Sequence, residues 1–158
     1  MRATTDLYDD HEGEVATCTV LLRDFGGRRS FCGPVRTVKC RNDNSLLREL
    51  LNEPGEGAVI VVDGGGSTER ALLGDILAAR GAANGWSGIV VYGVIRDSAE
   101  ILGIDLGVKA LGTNPAKSKK DGLGTVDCPV DFGGVLFAPG SWIYCDEDGV
   151  LLSPTAID

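Results

Sequence analysis

Helical and strand-like patterns alternate along the first two thirds of the chain. Two runs, AVIVVD at 58–63 and GIVVYG at 88–93, are continuously apolar, which is typical of strands buried on both faces. The segment 43–53 has the spacing of an amphipathic helix, and Asp43 or Asn44 is its candidate cap. Its apolar face consists of Leu46, Leu47, Leu50 and Leu51. These patterns predict an α/β fold.

The remaining patterns complete this prediction. Further elements are expected, in chain order, as a helix over 4–11, a strand over 33–40, a helix over 75–84, a short helix over 98–102 and a strand over 107–112. From residue 125 onward, short apolar runs are separated by GG, PG and EDG turns, a pattern that indicates antiparallel hairpins. We therefore expect a single domain, residues 1–158, built on a mixed sheet.

Three charged residues, Asp75, Arg96 and Asp97, bracket an apolar, glycine-rich segment. Because a helix joins strands 58–63 and 88–93, we expect parallel neighbours with a right-handed crossover. Ligands of such sheets bind beyond the carboxyl ends of the strands. Arg96 and Asp97 follow the second strand, and Asp75 begins the helix that follows the first. The pattern therefore predicts that all three meet at one site.

These residue types favour a small oxoacid bound together with a divalent cation. Arg96 offers a planar fork for a carboxylate, and the N–H groups of Ile76 and Leu77, expected to be unpaired at a helix start, also favour an anion. Asp97 is a hard oxygen donor of the kind that holds Mg²⁺ together with water. Asp75 could orient those waters. The same residues also fit a surface ion pair and a helix cap, so spacing alone leaves both interpretations open.

Composition narrows the classes of function. The 158 residues carry a net charge of −8, which disfavours direct binding to nucleic acid. No apolar run approaches the roughly 20 residues of a membrane span, and the polar N-terminus does not resemble a signal peptide. The five cysteines include no C-x-x-C pair, so we expect reduced thiols and a cytoplasmic protein. The only histidine, His11, lies in an acidic terminus, which disfavours a catalytic triad.

Two further segments are interpreted as loops. Asp63 and the GGG run after it could join a metal site or bind a nucleotide, but a turn capped by Asp63 is favoured. Segment 113–124 is the longest predicted loop and contains the only basic cluster, AKSKK. We interpret its lysines as solvated rather than as a phosphate or partner site.

Trp86 and Trp142 are expected in the core or at a subunit interface.

Four segments resemble the family that groups the regulator of ribonuclease E activity A with the 4-hydroxy-4-methyl-2-oxoglutarate aldolases. They are FGGRRSFCGPVRTVKCRNDNSLL, VVDGGGSTERALLGD, GVIRD and DFGGVLFAPGSWIYCDEDGVLLSP. The resemblance covers nearly the whole chain, and its most specific element is the pattern D-x20-R-D on Asp75, Arg96 and Asp97. It implies an αββα sandwich that resembles swivelling phosphohistidine domains. It also implies a homotrimer with its sites at the subunit interfaces.

By this resemblance, Arg96 would bind the substrate, Asp97 would hold Mg²⁺ or Mn²⁺ partly through water, and Gly74 to Leu77 would contact the substrate. The implied activity is that of a metal-dependent lyase of the class II type. It would cleave a carbon–carbon bond in a small 2-oxo acid through a pyruvate enolate. The candidate substrates are 4-hydroxy-4-methyl-2-oxoglutarate and, because the chain is short at its C-terminus, oxaloacetate.

The alternative is a non-enzymatic regulator that binds and inhibits a ribonuclease of the ribonuclease E type. Members of the family that act in this way tend to lose the acidic positions of the motif. This chain keeps Asp75 and Asp97, so the resemblance favours the enzyme.

Overall fold

The computed structural model describes residues 1–158 and has a mixed α/β architecture. The helices are α1 (Thr4–Asp10), α2 (Ser45–Leu51), α3 (Asp75–Ala83) and α4 (Ser98–Ile101). The strands are β1 (Ala16–Thr17), β2 (Arg23–Asp24), β3 (Phe31–Lys39), β4 (Val59–Asp63), β5 (Ala71–Leu73), β6 (Gly88–Ile95), β7 (Gly107–Thr113), β8 (Thr125–Val126), β9 (Val130–Phe132), β10 (Val135–Phe137), β11 (Trp142–Asp146) and β12 (Gly149–Ser153).

Ten of the strands form one mixed sheet. Its order is β1-β12-β11-β3-β4-β6-β7-β2, with β5 beside β6 and β8 beside β3. The central strands β3, β4, β6 and β7 run parallel, whereas β11 and β12 are antiparallel additions beside β3. Strands β9 and β10 pair as a separate hairpin. The predicted α/β fold with a mixed sheet and C-terminal hairpins is confirmed.

The central strands separate two hydrophobic cores. Along β4, Ile60 and Val62 belong to a cluster of 20 buried residues that includes three of the four leucines of α2. Val59 and Val61 belong to a cluster of 13 that includes the β9–β10 hairpin. Successive side chains of a strand point to opposite faces, so β4 is buried on both, as its apolar run predicted. A third, small cluster forms where Leu7 of α1 packs with residues of β11 and β12.

The strands that carry the candidate site are adjacent and parallel. Val59 lies opposite Gly88, and Asp63 lies opposite Tyr92. Strand β5 was not predicted; it is only three residues long and pairs with the end of β6. The N–H of Arg96 donates to the Leu73 carbonyl at 2.9 Å. This pairing brings the start of α3 beside the residues that follow β6.

Helices α2 and α3 approach closely at Gly81, which lies inside α3. A Cβ at this position would lie 2.9 Å from Cδ2 of Leu51. The absence of a side chain therefore permits close helix packing, which offsets the low helix propensity of glycine.

Segment 113–124 is tied to the body of the protein rather than free. Oδ2 of Asp43 accepts the N–H of Asp121 at 2.7 Å, and Oγ of Ser118 donates to the Ala71 carbonyl at 2.7 Å. Oδ1 of Asp43 accepts the N–H of Ser45, the first residue of α2, at 2.9 Å, whereas the side chain of the N-cap residue Asn44 makes no capping bond. This one carboxylate joins the loop to the first turn of a helix.

Three sequence expectations concern features away from the site. All five cysteines are free, as expected. Trp86 is buried in the larger core and donates its indole N–H to the Glu53 carbonyl at 3.1 Å, whereas Trp142 is only partly buried and packs against the small α1 cluster. No helix of the chain is long and apolar enough to cross a membrane.

Candidate active site

The structure brings Asp75, Arg96 and Asp97 together at the ends of β5 and β6. Nε of Arg96 lies 3.7 Å from Oδ2 of Asp97, and the N–H of Asp75 donates to the same oxygen at 3.3 Å. The side chains of Arg96 and Asp97 are 42% and 37% exposed. Both side chains are therefore accessible to a ligand while lying within ion-pair distance of each other.

Asp97 has a left-handed backbone, with φ 57° and ψ 39°. This conformation costs a residue other than glycine on the order of 1–3 kcal/mol, and such residues cluster at functional sites. Aspartate tolerates it better than most residues. The resulting geometry sets the Asp97 carboxylate against the first residues of α3.

Gly74, just before α3, provides the space for that carboxylate. A Cβ at position 74 would lie 2.8 Å from Oδ2 of Asp97 and 3.5 Å from Nε of Arg96. The backbone of Gly74 is extended, with φ −125°, so its conformation does not require glycine. Glycine is favoured here because a Cβ would displace the Asp97 carboxylate from its position.

The beginning of α3 offers one free backbone donor rather than two. Oδ1 of Asp75 accepts the N–H of Ile76 at 2.8 Å, so the prediction that this N–H is unpaired is wrong. The cause is the short reach of an aspartate at the first helical position, which bonds the adjacent amide. The N–H of Leu77 forms no hydrogen bond and remains available to an anion.

A cavity of about 200 Å³ lies in front of these residues. Its charged lining consists of Arg48, Arg80, Arg96, Lys117 and Lys120, and of Asp75 and Asp97. Five cations and two anions give this lining a formal charge of +3, whereas the whole chain carries −8. A positive concave surface on an acidic protein attracts anions.

Four of the cavity's cations were not predicted as site residues: Arg48, Arg80, Lys117 and Lys120. None of their side chains forms a salt bridge with an acidic group of the chain. Lys117 and Lys120 are exposed, as expected for the AKSKK cluster, but the tethered loop sets them on the cavity wall. The cluster of lysines was the one sequence signal that could have pointed to this cationic cavity, whereas Arg48 and Arg80 are isolated in the sequence and gave no signal.

Asn44, one of the residues that line the same cavity, has a buried and unpaired acceptor atom. It is 8% exposed, and its Nδ2 donates to the Leu72 carbonyl at 3.1 Å, which fixes the orientation of the amide. Its Oδ1 has no hydrogen-bond partner. Buried polar atoms are rarely left unpaired, and functional sites are one place where they occur.

The donor atoms at this site determine how a divalent cation would fit. The chain contains no cluster of three or more His, Cys, Asp or Glu side chains that could enclose a metal. Oδ1 of Asp97 accepts no hydrogen bond, and Asp97 also faces a second cavity of about 260 Å³ that is lined by Ser98 and Thr113. One free carboxylate oxygen with room for several waters suits Mg²⁺, which keeps much of its hydration shell.

Other candidate residues take no part in this site. His11 lies 3.4 Å from Glu14 in the N-terminal segment. Oδ1 of Asp63 accepts the N–H of Gly65 at 2.9 Å, as predicted for a turn cap. The N–H groups of Gly64 and Gly66 both donate to the Tyr92 carbonyl. The GGG loop therefore uses its donors internally and does not present them to a nucleotide.

The fold and cavity define an α/β protein with a cationic site at the carboxyl ends of parallel strands, the usual ligand position in such sheets. A family model described as RraA-like, Aldolase/RraA, matches residues 4–152. The chain belongs to this family.

Similar proteins carry three different functional names. A protein of Alkalilimnicola ehrlichii, provisionally named 4-hydroxy-4-methyl-2-oxoglutarate aldolase, is 56% identical over 154 residues, which cover 98% of this chain and 96% of that protein. The RNA-processing inhibitor RraA of Thermus thermophilus is 44% identical, with a TM-score of 0.96 over 100% of this chain and 96% of that one. A structure named as an S-adenosylmethionine: 2-dimethylmenaquinone methyltransferase of Geobacillus kaustophilus is also 44% identical, with a TM-score of 0.97 over 99% and 97% of the two chains.

Proposed function

We propose that this protein is a divalent-cation-dependent lyase that cleaves a carbon–carbon bond in a small 2-oxo acid. The observation that carries the proposal is the Arg96–Asp97 pair, which lies at a cavity rich in unpaired cations. Kinship to a protein named as an aldolase supports the reaction class. The candidate substrates are 4-hydroxy-4-methyl-2-oxoglutarate and oxaloacetate, which both yield pyruvate.

Arg96 and the start of α3 would bind the 2-oxo acid end of the substrate. The guanidinium of Arg96 matches a carboxylate in geometry and charge, and the free N–H of Leu77 adds a donor at a helix N-terminus. The same cationic group stabilises negative charge as the enolate forms. Asp97 would hold Mg²⁺ or Mn²⁺, and a cation bound there would polarise the 2-oxo group.

Proton transfer distinguishes the two candidate reactions. Retro-aldol cleavage requires that the 4-hydroxyl lose its proton as the C3–C4 bond breaks. Oδ1 of Asp75 is engaged by Ile76, so Asp75 would orient a water as the base through its other oxygen. Decarboxylation of oxaloacetate needs no base, since the carboxylate leaves as carbon dioxide and the enolate then takes up a proton.

The assembly and location of the enzyme form part of the proposal. Leu21 and Leu136 are 90% and 59% exposed, and exposed apolar side chains of this kind suit an interface between copies of the chain. A homotrimer would cover them, and light scattering at micromolar concentration tests this; a monomer contradicts it. Five free cysteines support a reducing compartment such as the cytoplasm.

A second function is supported by the Thermus relative, which is named as an RNA-processing inhibitor. The acidic outer surface of the protein would bind basic segments of a ribonuclease of the ribonuclease E type. This contact would use the outer surface rather than the cavity, so Arg96→Lys should leave it intact. Pull-down of a purified ribonuclease by wild type and by Arg96→Lys tests this second function.

The enzymatic proposal is tested by pyruvate release from each substrate with Mg²⁺ or Mn²⁺, and then with EDTA. The rate without protein is subtracted, because free divalent cations slowly decarboxylate oxaloacetate. Metal-dependent release that EDTA abolishes supports the proposal. No release above the protein-free rate from either substrate contradicts it.

A further inference from the structure

Two unpaired guanidinium groups reach the cavity from neighbouring helices. Arg80 immediately precedes Gly81, and Arg48 lies one turn before Leu51, so both arginines flank the close contact between α2 and α3. Both line the same cavity. Neither forms a salt bridge, although the chain has 23 acidic residues and only 15 lysines and arginines. The cavity is also lined by Asp75 and Asp97, but neither carboxylate forms an ion pair with these two arginines. Two guanidinium groups that line one cavity without an ion-pair partner indicate a binding site for an anion.

This pair lies away from the Arg96–Asp97 pair. Arg80 follows Asp75 by five residues on α3, which corresponds to about 7.5 Å along a helix axis. Arg80 is also one turn beyond Ile76 and Leu77, on the same side of the helix. A ligand held by Arg96 at one end would therefore meet Arg80 at its other end.

We propose that Arg80, assisted by Arg48, binds the distal carboxylate of the substrate. This inference rests on the proposed function and extends it, because the two candidate reactions treat that carboxylate differently. In retro-aldol cleavage of 4-hydroxy-4-methyl-2-oxoglutarate, the C3–C4 bond breaks and C3 keeps the electron pair. The distal carboxylate remains charged on the departing pyruvate.

In decarboxylation of oxaloacetate, the distal carboxylate is itself the leaving group. Its carbon–carbon bond breaks, the electron pair passes to C3, and its negative charge disappears as carbon dioxide forms. A guanidinium on this group stabilises the ground state more than the transition state, and such an interaction does not accelerate the reaction. Arg80 therefore makes the site an aldolase in preference to a decarboxylase.

The test compares kcat and KM of wild type, Arg80→Gln and Arg48→Gln on both substrates with Mg²⁺. For 4-hydroxy-4-methyl-2-oxoglutarate, Arg80→Gln should lower kcat/KM by about tenfold to hundredfold, the usual effect of losing a charged hydrogen bond. For oxaloacetate, KM and kcat should both rise, so that kcat/KM changes little. Arg80→Lys should recover part of the loss, and Arg48→Gln should act in the same direction but more weakly.

Arg29→Gln is the matched control, because Arg29 is exposed and lies outside the cavity. Thermal melting of each variant checks that it is folded. An equal loss of kcat on both substrates, or unchanged kinetics with 4-hydroxy-4-methyl-2-oxoglutarate, overturns the assignment of Arg80. A wild-type protein that acts on oxaloacetate alone also overturns it but leaves the lyase proposal standing. A wild-type protein inactive on both substrates overturns the lyase proposal and this inference with it.

Discussion

Replacing Gly74 with alanine should disable the site without unfolding the protein. The new Cβ would lie 2.8 Å from Oδ2 of Asp97, and ordinary contact begins at 3.4 Å, so the carboxylate must move by about 0.6 Å. That movement strains the 3.3 Å hydrogen bond from the Asp75 N–H. A misplacement of about 1 Å can cost roughly a hundredfold in rate, so we expect kcat to fall by about tenfold to hundredfold.

Stability should respond very differently. The extended backbone of Gly74 suits alanine, and a compatible Gly→Ala change stabilises a protein by about 0.4–1 kcal/mol through the unfolded state. This gain offsets part of the local strain, so Tm should stay within about 4 °C of wild type. The assay is steady-state pyruvate release with Mg²⁺, together with a thermal melt of the same preparation.

Gly112→Ala is the matched control for this substitution. A Cβ at Gly112 would meet nothing within 4 Å, so its kinetics should equal those of wild type. Full activity in Gly74→Ala would refute the reasoning, because the close approach would then be unimportant to the site. An equal loss in both variants would show that the effect comes from the chemical change and not from the contact.

Three further outcomes are expected. Arg96→Lys should lower kcat by about 10²–10³-fold, since one ammonium cannot reproduce the planar fork of the guanidinium. Steady-state kinetics measure this loss, and near-normal turnover would show that Arg96 takes no part in the reaction. Asp24→Asn should lower the free energy of unfolding by about 3–5 kcal/mol, because it removes the negative charge that lies 2.8 Å from the buried Lys109 ammonium. Urea titrations measure this loss, and a change under about 1 kcal/mol would contradict the prediction. Burial by itself would raise the pKa of Asp43, but hydrogen bonds from Ser45 and Asp121 outweigh it and lower the pKa below 3.8. The ionised Asp43 carboxylate therefore stabilises the folded protein fully above pH 3.8, and this contribution is lost as the pH falls through the pKa of Asp43 in the folded state. Asp43→Asn should speed amide hydrogen exchange in segment 113–124 at pH 7, and unchanged exchange would show that Asp43 does not hold the loop.

The sequence predicted most of the parallel core because its signals are local and strong. The run 58–63 is continuously apolar and the leucines of 43–53 have helical spacing, and the structure places both as expected. Strand β5 was missed because three residues between a glycine loop and a helix are too few to show a period. Yet β5 is the element that sets Gly74 beside Asp97.

Only those residues of the candidate site that lie next to predicted strands and helices could be predicted from the sequence. Asp75, Arg96 and Asp97 follow directly from the rule that strand ends share one edge, because each lies next to a predicted element. Arg48 and Arg80 lie on the faces of separate helices, and their convergence depends on the α2–α3 packing at Gly81. Such long-range packing leaves no periodic signal, so isolated arginines look like ordinary surface residues.

The role of Asp97 is the central claim, and a metal titration of wild type and Asp97→Asn tests it most directly. Asparagine tolerates the left-handed backbone at this position but lacks the charge that a hard cation prefers. We measure pyruvate release from 4-hydroxy-4-methyl-2-oxoglutarate against Mg²⁺ concentration, with equal thermal stability as the check on folding. The account predicts saturable Mg²⁺-dependent release by wild type and release at the protein-free rate by Asp97→Asn. Equal metal-dependent turnover by the two proteins would contradict it.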